Sequence, residues 1–213
     1  DYWAYEDIAT PAGGGYIEKS QGNFLYEQTD IEMANEQLPV TFARTYNSMA
    51  TGKSVFGYGW THSYDVGLLR LGKDNNLDEG ILVYRDGSGT LYQFKLEGNK
   101  YISSLGKYVN LTKEYLTTTV ALPDNTGEGD NQVLNMIVSS AYTMTTRDGI
   151  TYRFDSGGKL IYVEEANGNL LLFGYDSKRG LLSKITTGNN ISIEFEYYDS
   201  AGGNDALTIR QIT

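Results

Sequence analysis

The 213-residue sequence contains no cysteine and a single histidine. The absence of cysteine excludes disulfide bonds, cysteine-ligated zinc or iron–sulfur sites and thiol catalysis. It leaves an extracellular location open, because a domain of this length can be stable without disulfides.

Basic residues and long apolar runs are also scarce. Against 27 Asp and Glu there are 17 Lys and Arg, which gives a formal net charge of −10. Contact with a nucleic-acid backbone needs clustered Lys and Arg, so the composition predicts no nucleic-acid partner. No apolar stretch approaches the roughly 18 residues of a transmembrane helix, which predicts no membrane span. The chain opens Asp1-Tyr2-Trp3, without an initiator Met or a leader, and we expect an internal segment or a mature product.

What the sequence has in excess is glycine, with 25 residues, and tyrosine, with 18 residues against 7 phenylalanines. Hydrophobic residues make up 40% of the chain, which is enough for a buried core and argues against disorder. The length predicts one domain, or one piece of a larger one.

Alternation with period two runs through the sequence. In the stretch from Ile191 to Tyr197, apolar residues alternate with Ser192, Glu194 and Glu196. This pattern is typical of half-buried antiparallel strands, because successive side chains point to opposite faces of a sheet. Asn-Gly and Asp-Gly pairs between such stretches favour hairpin turns. The sequence therefore predicts an all-β fold of antiparallel hairpins, with no helix of three turns.

An internal repeat occupies the last third of the chain. A shift of 22 residues aligns Leu160 with Leu182, Val163 with Ile185, Phe173 with Phe195 and Tyr175 with Tyr197. Each unit reads as one hairpin and its linking turn, and a lone hairpin cannot bury its apolar face, so the units must pair edge to edge. A further copy begins at Ile209 and stops at Thr213, so we expect the native protein to continue.

These residues resemble the YD repeat of Rhs proteins, a family that includes bacterial polymorphic toxins, toxin-complex C subunits and teneurins. The motifs that carry the resemblance are Gly158-x-Leu160-x-x-Val163, Asn167-Gly168-Asn169 and Phe173-x-Tyr175-Asp176. Upstream, the blocks Arg44-Thr45-Tyr46-Asn47-Ser48 and Phe56-Gly57-Tyr58-Gly59-Trp60-Thr61-His62-Ser63-Tyr64 are similar to the segment that precedes the repeats in bacterial Rhs proteins. The opening Tyr2-Trp3-x-Tyr5 is most similar to wall-associated Rhs proteins of Gram-positive bacteria.

The resemblance covers residues 14–213 and implies a curved or spiralling β-sheet shell that encloses a C-terminal toxin or effector of the same polypeptide. It divides a single all-β segment, 1–213, into a leading module at 14–70, strand modules at 80–157 and YD repeats at 158–213. The family's aspartate-rich core block and a toxin domain are both absent from this sequence. We therefore expect a non-catalytic wall segment of a secreted or wall-associated bacterial protein.

The residues expected to hold successive hairpins together share fixed positions in the repeat. They are Leu160, Val163, Phe173, Tyr175, Leu182, Ile185, Phe195 and Tyr197, with Gly168 permitting its turn. A recurring phase favours packing of the tyrosine rings along the sheet, with each hydroxyl kept in water at the rim.

No catalytic constellation emerges from the sequence. His62, Ser63 and Asp65 are too close in sequence to orient one another as a triad, so a structural histidine is predicted. Paired carboxylates across a cleft can hydrolyse glycosidic bonds. Glu164 and Glu165 do not fit this role, because adjacent strand residues point to opposite faces of the sheet. Glu194 and Glu196 are expected on the solvent face, as charges that protect the sheet edge and keep the protein soluble. We predict neither an enzyme nor a cofactor.

Two binding hypotheses remain. Asp124, Glu128 and Asp130 on the polar loop 123–131 are candidate Ca²⁺ ligands, although the loop lacks the EF-hand order of residues and is interpreted as a solvated turn. Tyr58 and Trp60, or Tyr197 and Tyr198, could form an aromatic platform for a glycan. The alternative function is therefore a surface adhesion or carbohydrate-binding module with a glycan or cell-surface partner.

Overall fold

A computed structural model describes residues 5–10, 13–33, 39–71, 81–98, 100–103, 109–121, 133–198 and 208–213. In these ranges every regular element is a β-strand, and every strand pairing is antiparallel. The expectation of an all-β antiparallel fold is therefore confirmed. The strands follow the predicted alternation, since Ile193, Phe195 and Tyr197 are buried while Glu194 and Glu196 are exposed.

The first sheet has five strands in the order β1-β2-β3-β4-β7. A separate two-stranded ribbon, β5-β6, lies between β4 and β7 in the chain. The bounds are β1 Tyr5–Thr10, β2 Gly13–Glu18, β3 Asn23–Met33, β4 Val40–Asn47, β5 Lys53–Ser54, β6 Gly57–Tyr58 and β7 Trp60–His62.

The second sheet has twelve strands that pair in chain order from β8 to β19, so each strand lies beside its sequence neighbours. The bounds are β8 Gly67–Leu71, β9 Ile81–Arg85, β10 Leu91–Glu97, β11 Lys100–Ser103, β12 Val109–Ala121, β13 Val133–Thr146, β14 Thr151–Phe154, β15 Leu160–Glu164, β16 Leu170–Tyr175, β17 Leu182–Thr187, β18 Ser192–Tyr197 and β19 Ile209–Ile212. Such a meander needs only short hairpin connections, which the Gly-rich turns supply.

The second sheet curls until its edge strand β8 meets the turn between β14 and β15. The backbone N–H of Leu68 donates to the Gly158 carbonyl at 2.8 Å, and Gly67 forms an antiparallel bridge with Lys159. A side chain at Gly158 would overlap the carbonyl oxygen of Leu68. Glycine at this position therefore permits the close approach of two backbones.

One core joins the two sheets. Phe42 on β4 packs against Phe195 on β18, with ring centroids 5.3 Å apart, and Tyr64 packs against Phe173 on β16 at 5.4 Å. Phe42 is fully buried, as is Phe154 on the twelve-stranded sheet. The leading part of the chain therefore covers the apolar face that the repeats cannot bury by themselves.

Candidate functional site

The two repeat units occupy equivalent environments in the second sheet. Leu160 and Leu182 are both buried, as are the other aligned pairs Val163 and Ile185, and Phe173 and Phe195. In the register, Phe173 lies opposite Ile185, so the units meet side by side. The pattern of buried residues follows the predicted phase, and the energetic contribution of these residues stays a prediction.

The repeat tyrosines do more than pack. The Tyr175 hydroxyl donates to the Leu160 carbonyl at 2.8 Å, and the Tyr197 hydroxyl donates to the Leu182 carbonyl at 2.6 Å. The expectation that these hydroxyls stay in water at the rim is therefore wrong. A register shift just before each tyrosine turns it toward the start of its own unit. Burial raises the pKa of Tyr197 to about 12 and raises that of Tyr175 further, so both remain protonated donors.

An aspartate organises the turn that links the hairpins. Asp155 Oδ1 accepts the backbone N–H groups of Gly157 at 2.8 Å and Lys159 at 2.9 Å. One unit later, Asp176 Oδ1 accepts those of Lys178 at 3.1 Å and Arg179 at 2.7 Å. Sequence reasoning assigned no role to these carboxylates. The signal was available, because Asp155 directly follows Phe154 and Asp176 directly follows Tyr175. Aspartate commonly closes turns in this way.

A cation lies over each repeat tyrosine. Lys159 Nζ is 5.1 Å from the Tyr175 ring centroid and also donates to the Gly180 carbonyl at 3.0 Å. The Arg179 guanidinium is 5.6 Å from the Tyr197 ring centroid. Because Lys159 belongs to one linking turn and Gly180 to the next, its side chain connects successive units.

His62, Ser63 and Asp65 do not form a triad. Ser63 Oγ is hydrogen-bonded to the backbone N–H of Ala43 at 2.8 Å and also donates to its carbonyl. His62 Nδ1 accepts the Tyr64 backbone N–H at 3.3 Å, and the His62 ring stacks on Phe42 at 5.1 Å. Burial lowers the pKa of His62 to about 4, so the ring is neutral near pH 7.

Asp65 forms an ion pair with Arg85 at the wall of a cleft between the sheets. The cleft has a volume of about 440 Å³ and is bounded by the leading module, by β8 and β9, and by the repeats. Its charged lining groups are Lys53, Asp65, Arg85 and Lys159. A smaller cavity of about 290 Å³ shares Asp65 and Arg85 with it.

Of the remaining carboxylate candidates, two lie near cations, and Glu165 accepts from the Asn169 side-chain amide at 3.0 Å. Glu194 pairs with Lys184 at 2.8 Å, and Glu196 lies 3.9 Å from Arg210. Glu164 and Glu165 are partly buried on the strand β15 and at its end. Among the described residues the structure brings together no pair of these glutamates across a cleft.

The candidate aromatic platforms are partly used in packing. Trp60 contacts the Tyr46 ring at 5.2 Å and has the Arg44 guanidinium over it at 5.4 Å. Tyr197 is buried, whereas Tyr58 is 70% exposed and Tyr198 is 48% exposed. Glycan binding by these residues stays a prediction.

The candidate calcium ligands Asp124, Glu128 and Asp130 lie outside the described residues. Within the described ranges no three His, Asp or Glu side chains form a group that could hold a metal ion. In the same part of the chain, no helix has the length and apolarity that crossing a membrane requires.

Comparison with known proteins gives two kinds of match. Residues 14–94 match a family described as "Domain of unknown function (DUF6531)". The chain is also 24% identical over 183 residues to the tRNA3(Ser)-specific nuclease WapA of Bacillus spizizenii. It is 23% identical over 183 residues to the tRNA nuclease WapA of Bacillus subtilis and to the tRNA(Glu)-specific nuclease WapA of Bacillus subtilis subsp. natto.

Each of these matches covers 85% of the chain but only 6% of the relative. The chain is therefore distantly similar to a small part of WapA proteins. The DUF6531 match includes the two blocks at residues 44–48 and 56–64 that carry the upstream resemblance.

Proposed function

We propose that this chain is a non-catalytic structural segment of a larger, secreted or wall-associated Rhs-type toxin. Its sheet would form part of a shell around a C-terminal effector of the same polypeptide. The observation that carries the proposal is the repeated tyrosine-to-carbonyl hydrogen bond, from Tyr175 to Leu160 and from Tyr197 to Leu182. Each hairpin unit forms the same internal hydrogen bond, so further units can be added along the sheet without changing the geometry of the sheet.

The distribution of polar groups supports a structural role. Ser63 is hydrogen-bonded to the backbone of β4, and His62 is buried against Phe42. His62 also borders the cleft between the sheets, but its Nδ1 accepts the Tyr64 backbone N–H, and Ser63 Oγ is bonded to the Ala43 backbone. A nucleophile and a base must be hydrogen-bonded to each other, and these two side chains are not.

The relatives support a nuclease as the class of effector in the parent protein. Their names describe tRNA nucleases, and the chain aligns with only 6% of their length. The net charge of −10 opposes contact with a phosphate backbone. We therefore assign RNA binding and cleavage, where the parent has them, to a region outside this segment.

The test uses the full-length parent polypeptide and limited proteolysis of its C-terminal region. We expect the effector region to resist protease in the wild type and to become cleavable in Phe195→Ala, because Phe195 joins the repeats to the first sheet. Leu172→Ala is the control, since Leu172 is 42% exposed on the same sheet. If the effector region is cleaved as fast in the wild type as in Phe195→Ala, it is not enclosed and the proposal is contradicted.

A glycan array with the isolated segment tests the adhesion alternative. Saturable binding that is lost in Tyr58→Ala or Tyr198→Ala, the two exposed rings, would favour a carbohydrate-binding module over the shell segment. We expect no such binding.

A further inference from the structure

The cleft between the sheets has the lining of a small-molecule site. Its volume of about 440 Å³ lies within the range of ligand pockets, about 300–1,000 Å³. Its walls are largely apolar, with Val55, Val66 and Leu181 among the lining residues. Its polar side chains, which include His62 besides the charged groups, come from different parts of the chain. An apolar wall with convergent polar groups is typical of a pocket that orients one ligand.

The net charge of the residues that line the cleft is positive, opposite in sign to the net charge of the whole chain. Among the described residues that line it, Lys53, Arg85 and Lys159 are cationic and Asp65 is anionic. The whole chain carries a net charge of −10. A cationic concavity with apolar walls in an acidic protein concentrates the positive potential and attracts small anions.

Arg85 is the group best placed to bind such an anion. Its Nη2 donates to Asp65 Oδ1, which fixes the guanidinium beside the cleft. A guanidinium has five N–H donors. The Nε of Arg85 is buried, whereas the side chain as a whole is 36% exposed, so the Nη groups are the donors that a ligand in the cleft would meet. Since Asp65 also accepts from Thr61 Oγ1 at 3.3 Å, its carboxylate is shared between two donors.

Rigid walls surround these donors. The Tyr175 and Tyr197 rings line the cleft, and their hydroxyls are fixed by the carbonyls of Leu160 and Leu182. Lys159 Nζ is held over the Tyr175 ring. A ligand that enters would therefore lose little free energy to side-chain ordering.

We infer that the cleft binds a small organic oxyanion, a carboxylate or phosphate monoester on a compact apolar body, with the oxyanion on Arg85 and Lys159. The apolar body would lie against the aromatic and aliphatic wall. Both kinds of oxyanion match the donor geometry of a guanidinium. This site is independent of the structural role proposed for the segment.

The test is an NMR titration of the ¹⁵N-labelled chain with benzoate and, separately, phenyl phosphate. We expect saturable amide shifts at millimolar probe, confined to residues 65–69, 85 and 157–159. The probe with the stronger shifts identifies the preferred oxyanion. Benzamide, a neutral analogue of benzoate, should give no saturable shifts. Equal binding of benzamide and benzoate, or no shifts with either anion, would overturn the inference.

Two variants with opposite expected effects separate binding from folding. Arg85→Gln should weaken anion binding by roughly 10- to 100-fold, the usual effect of losing a charge-assisted hydrogen bond. Asp65→Asn removes the competing carboxylate and should tighten binding. Lys95→Gln, at an exposed position outside the cleft lining, is the control and should change nothing. If Arg85→Gln fails to fold, an unchanged or weaker affinity in Asp65→Asn is sufficient to reject the site.

Discussion

At the scale of single residues, the hydroxyls of the repeat tyrosines carry specificity that ring burial alone would not provide. An apolar ring can pack in several ways, but the Tyr197 hydroxyl reaches one carbonyl, that of Leu182. A phenylalanine at this position would bury the same ring and leave the carbonyl without this donor. A buried carbonyl without a partner is costly.

Tyr197→Phe tests this role. We expect the free energy of unfolding to fall by about 1–3 kcal/mol, since the substitution removes a buried hydrogen bond and leaves the Leu182 carbonyl without the Tyr197 donor. Urea unfolding monitored by circular dichroism measures the change. Tyr198→Phe is the matched control, because Tyr198 is the next residue and its ring is 48% exposed. Equal losses in the two variants would show that the Tyr197 hydroxyl contributes nothing specific.

His62 predicts a pH dependence. Its pKa is lowered to about 4, chiefly by burial, from an ordinary value of 6.5. A histidine that stays neutral when folded binds its proton only on unfolding. Its contribution to stability is therefore fully present above pH 6.5 and is lost as the pH falls toward 4. The loss amounts to roughly 3 kcal/mol, since each pKa unit corresponds to about 1.4 kcal/mol.

The measurement compares urea unfolding of the wild type and His62→Phe from pH 7 to pH 4. Phenylalanine keeps an aromatic ring against Phe42 but does not titrate. Because the chain has one histidine, the difference between the two curves isolates this group. We expect the wild type to lose more stability than the variant on acidification. Parallel curves would show that His62 titrates normally in the folded protein.

At the scale of elements, the alternating pattern predicts individual strands but not where distant strands meet. Ile193 and Phe195 show the face of β18 directly, because the side-chain period of a strand is local. The contact of Leu68 with Gly158 joins residues far apart in sequence and depends on how strongly the sheet curls. Nothing in the sequence near Gly158 distinguishes this contact from an ordinary turn.

In the candidate site, too, the sequence predicts features that depend on the local pattern and not those that depend on contacts between distant residues. The sequence identifies the buried positions of each repeat, such as Phe173, but not the acceptor of the Tyr175 hydroxyl, which depends on a register shift. The cleft is also inaccessible to sequence reasoning, because Asp65 and Arg85 become neighbours only through the pairing of β8 with β9.

Gly158 and Gly168 form a matched pair for testing the close approach. Both have φ of +87°, but a Cβ at Gly168 would meet open space, whereas one at Gly158 would overlap the Leu68 carbonyl. Gly168→Ala should cost about 1–2 kcal/mol from the left-handed backbone alone. Gly158→Ala should cost about 1–3 kcal/mol more, as is usual for overpacking.

Urea unfolding measures both losses, and amide hydrogen exchange adds a local reporter. The Leu68 amide, which donates to the Gly158 carbonyl, should exchange faster in Gly158→Ala and not in Gly168→Ala. Indistinguishable behaviour of the two variants would refute the contact between β8 and the β14–β15 turn.

At the scale of the whole molecule, the two sheets depend on each other. The repeats form an extended sheet whose apolar face is covered by the leading module through Phe42 and Tyr64. Backbone contacts reinforce the junction, since the Ile209 N–H donates to the Val55 carbonyl at 2.9 Å. Neither the leading module nor the repeats would bury their own apolar surface alone.

This dependence predicts a single cooperative unfolding transition. Trp60 on β7 reports on the first sheet, and Trp3→Phe removes the only other indole of the chain. In that background, Trp60 fluorescence and far-ultraviolet circular dichroism, which is dominated by the twelve-stranded sheet, should give the same urea midpoint.

Phe42→Ala should lower the common midpoint, because removal of a buried phenylalanine ring costs about 3–5 kcal/mol. Fluorescence and dichroism should still coincide in this variant, since the sheets share one core cluster. The urea midpoint of this variant is compared with that of Phe94→Ala. Phe94 is equally buried but lies on β10 of the second sheet. If, in the Trp3→Phe background without a core substitution, Trp60 fluorescence changes at a lower urea concentration than the circular dichroism, the leading module unfolds independently. Its contacts with Phe195 and Phe173 would then be too weak to couple the two sheets.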